Sequence, residues 1–91
     1  MASPTTQSTG ELAPATTVVF TGHCFVNAAT IQPGATLTVY DNTAASGKVV
    51  LQYVNAGTNT ESIVFRNAVR CDIGLTVVGL AANVNVYFGA T

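Results

Sequence analysis

His23 and Cys24 stand side by side in the stretch GHCFVN, residues Gly22 to Asn27, and a second cysteine, Cys71, adjoins Asp72 in VRCDI. These are residue types from which metal sites and activated thiols are built. A structural zinc takes four ligands, commonly with C-x₂₋₄-C spacing, and a catalytic zinc takes three with an open position. That spacing is missing from the sequence. If His23 and Cys24 share a β-strand, their side chains point to opposite faces, and Cys71 and Asp72 are divided in the same way. Only one member of each pair is then expected to meet across a sheet, so four ligands cannot be assembled. The expectation is no metal and no cofactor.

Nucleophilic catalysis makes similar demands. A thiolate needs an imidazole within hydrogen-bond reach and a third group to orient it, whereas His23 is adjacent to Cys24 in sequence and divergent in direction. Asp41, Glu61 and Asp72 sit singly at strand ends or in loops, where a solvated charge is the ordinary reading and no paired acid and base is formed. The glycines are scattered at turns, with neither GxGxxG nor a P-loop among them. The residues predict a protein that is not an enzyme.

The elements that position these residues are strands. After Pro14 the chain runs in short β-branched and aromatic stretches separated by turn residues, with no helical period, which predicts an all-β fold. Strands are expected near Thr16–Phe20, His23–Thr30, Thr36–Asp41, Lys48–Val54, Ser62–Arg66, Val69–Asp72, Leu75–Val78 and Val84–Phe88. Pro33-Gly34 fits a tight turn, residues 42–47 and 55–60 form loops, and residues 80–83 are expected to close a last hairpin. The architecture implied is a compact antiparallel β-sandwich or β-barrel, jelly-roll-like, over residues 15–91. Residues 1–14 are rich in Ser, Thr and Pro and lack a hydrophobic period, so they read as a flexible N-terminal arm.

Two-residue alternation assigns Leu37 and Val39, then Val49, Leu51 and Tyr53, Ile63 and Phe65, Leu75 and Val77, and Val84, Val86 and Phe88 to the core. The opposite faces are not cleanly polar. Val50, Val54, Val64, Val78 and Leu80 fall on them beside Thr38, Gln52 and Asn85. A sheet apolar on both sides must cover both, which makes the second face a candidate interface between copies. The same alternation points Cys24 and Cys71 inward. Two readings stand for them. A disulfide would close a loop of about 47 residues, stabilising by about 4 kcal/mol. Alternatively, two free thiols pack as small apolar groups, as a reducing cytoplasm favours.

With 91 residues the chain makes one domain and buries little surface for its size. Charged residues are 8% of the sequence and the net charge is −1, so there is no basic stripe for nucleic acid. The N-terminus lacks the basic and apolar segments of a secretory signal, and no apolar run approaches membrane-spanning length. As written, the chain is expected in a cytoplasm or as a mature form stripped of a leader, with no membrane or nucleic-acid partner.

The run IQPGATLTVYDNTAASGKVV, followed by SIVFRNAVRCDIGLTVVG and by NVNVYFGAT, resembles small virion proteins of tailed bacteriophages. The likeness covers residues 16–91. It lies in a strand ending in VYD, a small-residue loop with Ser-Gly, a Val-Phe segment leading to Gly-Leu-x-Val, and a V-x-V-Y strand. Proteins of this kind resemble capsid decoration, or cement, proteins, commonly trimers on the outer surface of the phage head. What carries over is scaffold: the loop from Asp41 to Gly47, Gly74-Leu75, and the strand from Val84 to Phe88. The resemblance implies a homotrimer that binds the major capsid protein on the virion surface after a period in the host cytoplasm. Leu12 and Pro14 of the arm are then the expected capsid contacts, and Val64, Val78 and Tyr87 the oligomer interface. The cysteines are not part of the pattern. A head-fibre or tail component, or a receptor- or carbohydrate-binding β-module, is the alternative; a sugar platform would require Tyr40, Tyr53 and Tyr87 to be grouped on one exposed face.

Overall fold

The computed structural model describes residues 7–90 of the chain. Eight strands follow one another: β1 (Gln7–Ser8), β2 (Thr16–Thr21), β3 (Cys24–Ile31), β4 (Thr36–Asp41), β5 (Lys48–Val54), β6 (Glu61–Cys71), β7 (Gly74–Leu80) and β8 (Val84–Ala90). They form two four-stranded antiparallel sheets, ordered β1-β8-β3-β6 and β2-β7-β4-β5. The sheets pack face to face as a β-sandwich. Only β4 and β5 are joined as a hairpin within one sheet; every other connection carries the chain across to the opposite sheet. The segment after Leu80 is therefore an arch between β7 and β8 and not the hairpin its turn residues suggest.

The core is built from the inward rows of both sheets. Val26, Ile31, Val84 and Val86 from one meet Leu37, Val39, Leu75 and Val77 from the other, all fully buried. Each such side chain contributes about 1.5–3 kcal/mol relative to leaving it exposed. Phe20 of β2 and Phe88 of β8 tilt against each other at 6.3 Å between ring centroids, closing the gap between the sheets on one side. Pro33 and Gly34 occupy the middle of a turn closed by Ala35 N donating to Gln32 O, with Gly34 at φ +84°. Proline presets the first central position of a type II turn and glycine supplies the positive φ of the second.

Three irregularities change what alternation predicts. In β3 the register shifts between Val26 and Ala28, so the inward set passes from Cys24 and Val26 to Ala29 and Ile31. Opposite the same shift, the stretch 65–68 of β6 faces Asn27 alone. Glu61–Cys71 is thus one strand with an excursion, where two strands, Ser62–Arg66 and Val69–Asp72, are expected. In β5 the shift opposite Val39 and Tyr40 leaves Val50 as the extra residue. Val50 packs on the core with Leu51 and Tyr53, while Val49 is 47% exposed. The expected places of Val49 and Val50 are exchanged, because a bulge shifts the two-residue period by one.

The stretch from Gln7 to Leu12 lies against β8. Gln7 and Ser8 pair with Phe88 and Tyr87, and Thr9 N donates to Val86 O at 3.0 Å. Leu12 and Val84 exchange backbone hydrogen bonds at 2.7 and 3.1 Å. Of the arm expected over residues 1–14, this part adds a short edge to the sheet and covers the free side of β8; the part before Gln7 lies outside the described residues.

Candidate functional site

Cys24 and Cys71 are directly opposed partners on β3 and β6, at one end of the sandwich, and both are buried. Both are free thiols, and their side chains interact with each other. Burial pushes both thiols up, and Cys71, raised further by the neighbouring Cys24 and by the negative charge of Asp41, reaches about 12. A thiol this far above neutrality is held as S–H, the opposite of an activated nucleophile.

His23 points the other way, outward, as expected for its neighbour's opposite number. There Asp72 Oδ1 takes the Arg70 Nε–H at 2.8 Å and lies 3.4 Å from His23 Nδ1. The expectation that only one member of each pair could meet is corrected: thiol meets thiol inside the strands, and imidazole meets carboxylate outside, because His23 and Asp72 lie one position beyond the strand ends and not within β3 and β6 as expected. The imidazole is exposed and the thiols are buried, so the two pairs do not pool their groups in one site. An open cleft of about 370 Å³ lies alongside, lined by His23, Cys24, Phe25 and Arg70. Among the described residues no three His, Cys, Asp or Glu side chains are placed to hold one metal ion.

Asp41 departs most from its expected role as a solvated charge. It is 6% exposed, and its Oδ1 accepts backbone N–H groups from Asp72, Ile73 and Gly74 at 2.9, 2.8 and 3.4 Å. Burial pushes its carboxyl up, but these three donors and the charge of Lys48 outweigh burial and leave it below its ordinary value. The carboxylate ties the end of β4 to the arch between β6 and β7. Gly74 is required there: a Cβ would sit 2.9 Å from Phe20 O and 3.1 Å from Asn42 O. Asn55, which reads from sequence as an ordinary loop residue, is a second buried anchor. Its Nδ2 donates to Ile31 O and Asn59 O, both at 2.9 Å, and its Oδ1 accepts the Gly57 N–H at 3.0 Å.

The remaining candidates are surfaces. The outward rows of the β2-β7-β4-β5 sheet are Val18-Thr76-Tyr40-Val49, Thr16-Val78-Thr38-Gln52 and Leu80-Thr36-Val54. Val18, Val49, Val54 and Leu80 are between 47 and 61% exposed, Val78 is half-buried, and the rows hold no charged side chain. Val64 and Tyr87 lie on the other sheet, flanking Ala28 in one outward row, with Val64 79% exposed. The three residues expected at one oligomer interface are therefore divided between the two outer faces. Leu12 is partly buried against the core and Pro14 is exposed. The tyrosines do not gather: Tyr87 is outward on one sheet, Tyr40 outward on the other, and Tyr53 packs on the core.

No family model, no curated protein and no solved structure matches this chain.

Proposed function

We propose that this chain is a non-enzymatic structural protein of a phage virion, a capsid decoration or cement protein. It attaches to the major capsid protein on the outer surface of the head and works as a homotrimer. The observation that carries the reading is the outer face of the β2-β7-β4-β5 sheet. Four exposed aliphatic side chains and Val78 stand there without a single charge among them. Exposed aliphatic side chains spread over an uncharged sheet face, with only Thr, Tyr and Gln between them, suit a protein contact. Copies of the same chain suit it, because like surfaces that carry no charge meet without repulsion.

We assign the contacts by face. Two outer faces that point in opposite directions cannot both meet neighbours within one small closed ring; used together they would generate an open stack. Val78 with Val18, Val54 and Leu80 belongs to the contact between copies. Val64 and Tyr87 on the opposite face, together with Leu12 and Pro14 of the arm, are left for the shell. The resemblance to small phage virion proteins over residues 16–91 supports the choice of shell, and the dispersal of the three tyrosines speaks against a sugar platform.

The test has two parts. Light scattering after size exclusion should give a multiple of the 9.3 kDa chain mass at micromolar concentration. Sedimentation with phage heads lacking decoration, and with isolated tails as the control, should show the protein on heads. A folded monomer that pellets with neither particle would overturn the proposal, and binding to tails alone would replace it with a tail component.

A further inference from the structure

We propose that Cys24 and Cys71 are a dithiol that converts to an internal disulfide by exchange with a small disulfide such as oxidised glutathione, through local opening of the end of β6. The pair is built for bridging. The two residues are direct partners across antiparallel strands, where Cα atoms lie about 4.5–5.5 Å apart. A disulfide spans Cα separations of about 4.4–6.8 Å. Both side chains are buried in the core on the same face of the sheet. Joining the sulfurs therefore requires side-chain rotation and no repacking of the sheets.

The folded pair is nonetheless closed to reagents. Cys24 is 1% and Cys71 0% exposed, and burial holds both as S–H, whereas exchange requires a thiolate. The way in follows from sheet order. β6 is an edge strand that pairs with no strand but β3, and Cys71 is its last residue, so opening this end also requires releasing the Asp72–Gly74 amides from Asp41. Strand ends at a sheet edge open at lower free energy than the core. The cleft lined by His23, Cys24, Phe25 and Arg70 lies at the same end of the strands.

Once β6 lifts, the Cys71 thiolate attacks the small disulfide, forms a mixed disulfide and releases one small thiolate. The Cys24 thiolate then displaces the second. The two cysteine S–H bonds and one small S–S bond are lost, and one internal S–S bond is formed. The two protons pass to the released thiols, and the two electrons given up by the cysteines reduce the small disulfide. When β6 closes again, the product is sealed in the core. The same burial that slows its formation slows its reduction, so the redox state is set when the strand opens and kept afterwards.

The test uses the full chain, purified reduced. With Ellman's reagent, the native protein should leave its thiols unreacted over minutes and yield both in denaturant. Incubated with oxidised glutathione, it should lose two hydrogens in mass and give a linked peptide pair containing Cys24 and Cys71. Sub-denaturing urea should accelerate this several-fold, and the product should melt higher than the dithiol form. Rapid labelling of the native protein would overturn the gating. Stable glutathione adducts, cross-linked dimers, or no reaction even in urea would overturn the disulfide. Cys24→Ala supplies the reference, since it should stop at a glutathione adduct on Cys71.

Discussion

Asp41 Oδ1 accepts the backbone N–H of Ile73 at 2.8 Å, joining the end of β4 to the arch that carries the chain from one sheet to the other. With Asp72 and Gly74 donating to the same oxygen, one buried carboxylate fixes the geometry of that crossing. Because the folded carboxyl lies below its ordinary value, its stabilising effect is complete above the unfolded value of about 4. It is lost as pH falls through the lower folded value. Asp41→Ala should cost about 2–3 kcal/mol at neutral pH, from charge-assisted hydrogen bonds lost and donors left buried. Asp41→Asn keeps an acceptor and should cost less. Melts between pH 7 and pH 2 should show the wild type and Asp41→Asn converging as the medium becomes acid. Parallel curves would mean that Asp41 does not titrate with folding.

Asn55 should behave as a structural residue despite its loop position. Its side chain satisfies Ile31 O, Asn59 O and Gly57 N, and its backbone bonds to Gly34 and Ala35. Asn55→Ala leaves those side-chain partners without a replacement in a buried place, at a cost of about 1–3 kcal/mol. Denaturant titration measures it. A change under about 0.5 kcal/mol, the usual surface range, would show the site open to water.

What the sequence reveals and what it hides divide along physical lines. Leu37 and Val39, Leu75 and Val77, and Val84 and Val86 are found inside as alternation predicts, because their strands run without interruption through the buried stretch. Val49 and Val50 exchange places because a bulge displaces the period, and residues 65–68 shift the register of a strand without ending it. Neither leaves a local signature distinct from a turn. Asp41 and Asn55 have the composition of loop residues, and only the chain's return from the other sheet encloses them. The Cys24–Cys71 meeting is legible from inward alternation on both strands. The His23–Asp72 meeting, one position beyond that pair and outside both strands, is not predicted by alternation within a strand.

The two outer faces should respond differently to charge. Val54 and Leu80 flank Thr36 on the uncharged face assigned to contact between copies, and both are well exposed. Val54→Lys with Leu80→Lys should therefore shift the protein toward monomer in sedimentation velocity, with the melt of the monomer itself within about 0.5 kcal/mol of wild type per site. Val64→Lys on the opposite face should leave association intact and reduce binding to phage heads. If Val64→Lys dissociates the oligomer and the double substitution does not, the assignment of faces is reversed.

Removing residues 1–12 should weaken the sandwich as well as shell attachment. The stretch from Thr9 to Leu12 supplies backbone hydrogen bonds to Val84 and Val86, and its loss uncovers the edge of β8. At about 0.5–1.5 kcal/mol for each bond, the truncated chain should lose roughly 2–4 kcal/mol yet remain folded. An uncovered strand edge also invites pairing with other chains, so faster aggregation on heating is expected. An unchanged denaturation midpoint would show that the arm contributes nothing to the fold. Equal binding to heads by both forms would remove it from the shell contact.

His23 and Cys24, neighbours in sequence, should prove independent in effect. His23 stands outward beside Asp72, with both side chains more than half exposed. Exposed ion pairs contribute little, so His23→Ala should change stability by under about 0.5 kcal/mol. Cys24 is enclosed among core side chains, and Cys24→Ala leaves a small cavity in their place, at a cost of about 1–2 kcal/mol. A shared metal would produce a different pattern: either substitution would release the ion, and a chelator would lower the wild-type melt by as much. Melts of the two variants with and without chelator separate the cases. Equal losses together with chelator sensitivity would overturn the division between the faces. A loss confined to Cys24→Ala, with no chelator effect, places the chemistry of this end of the sandwich in the thiols alone.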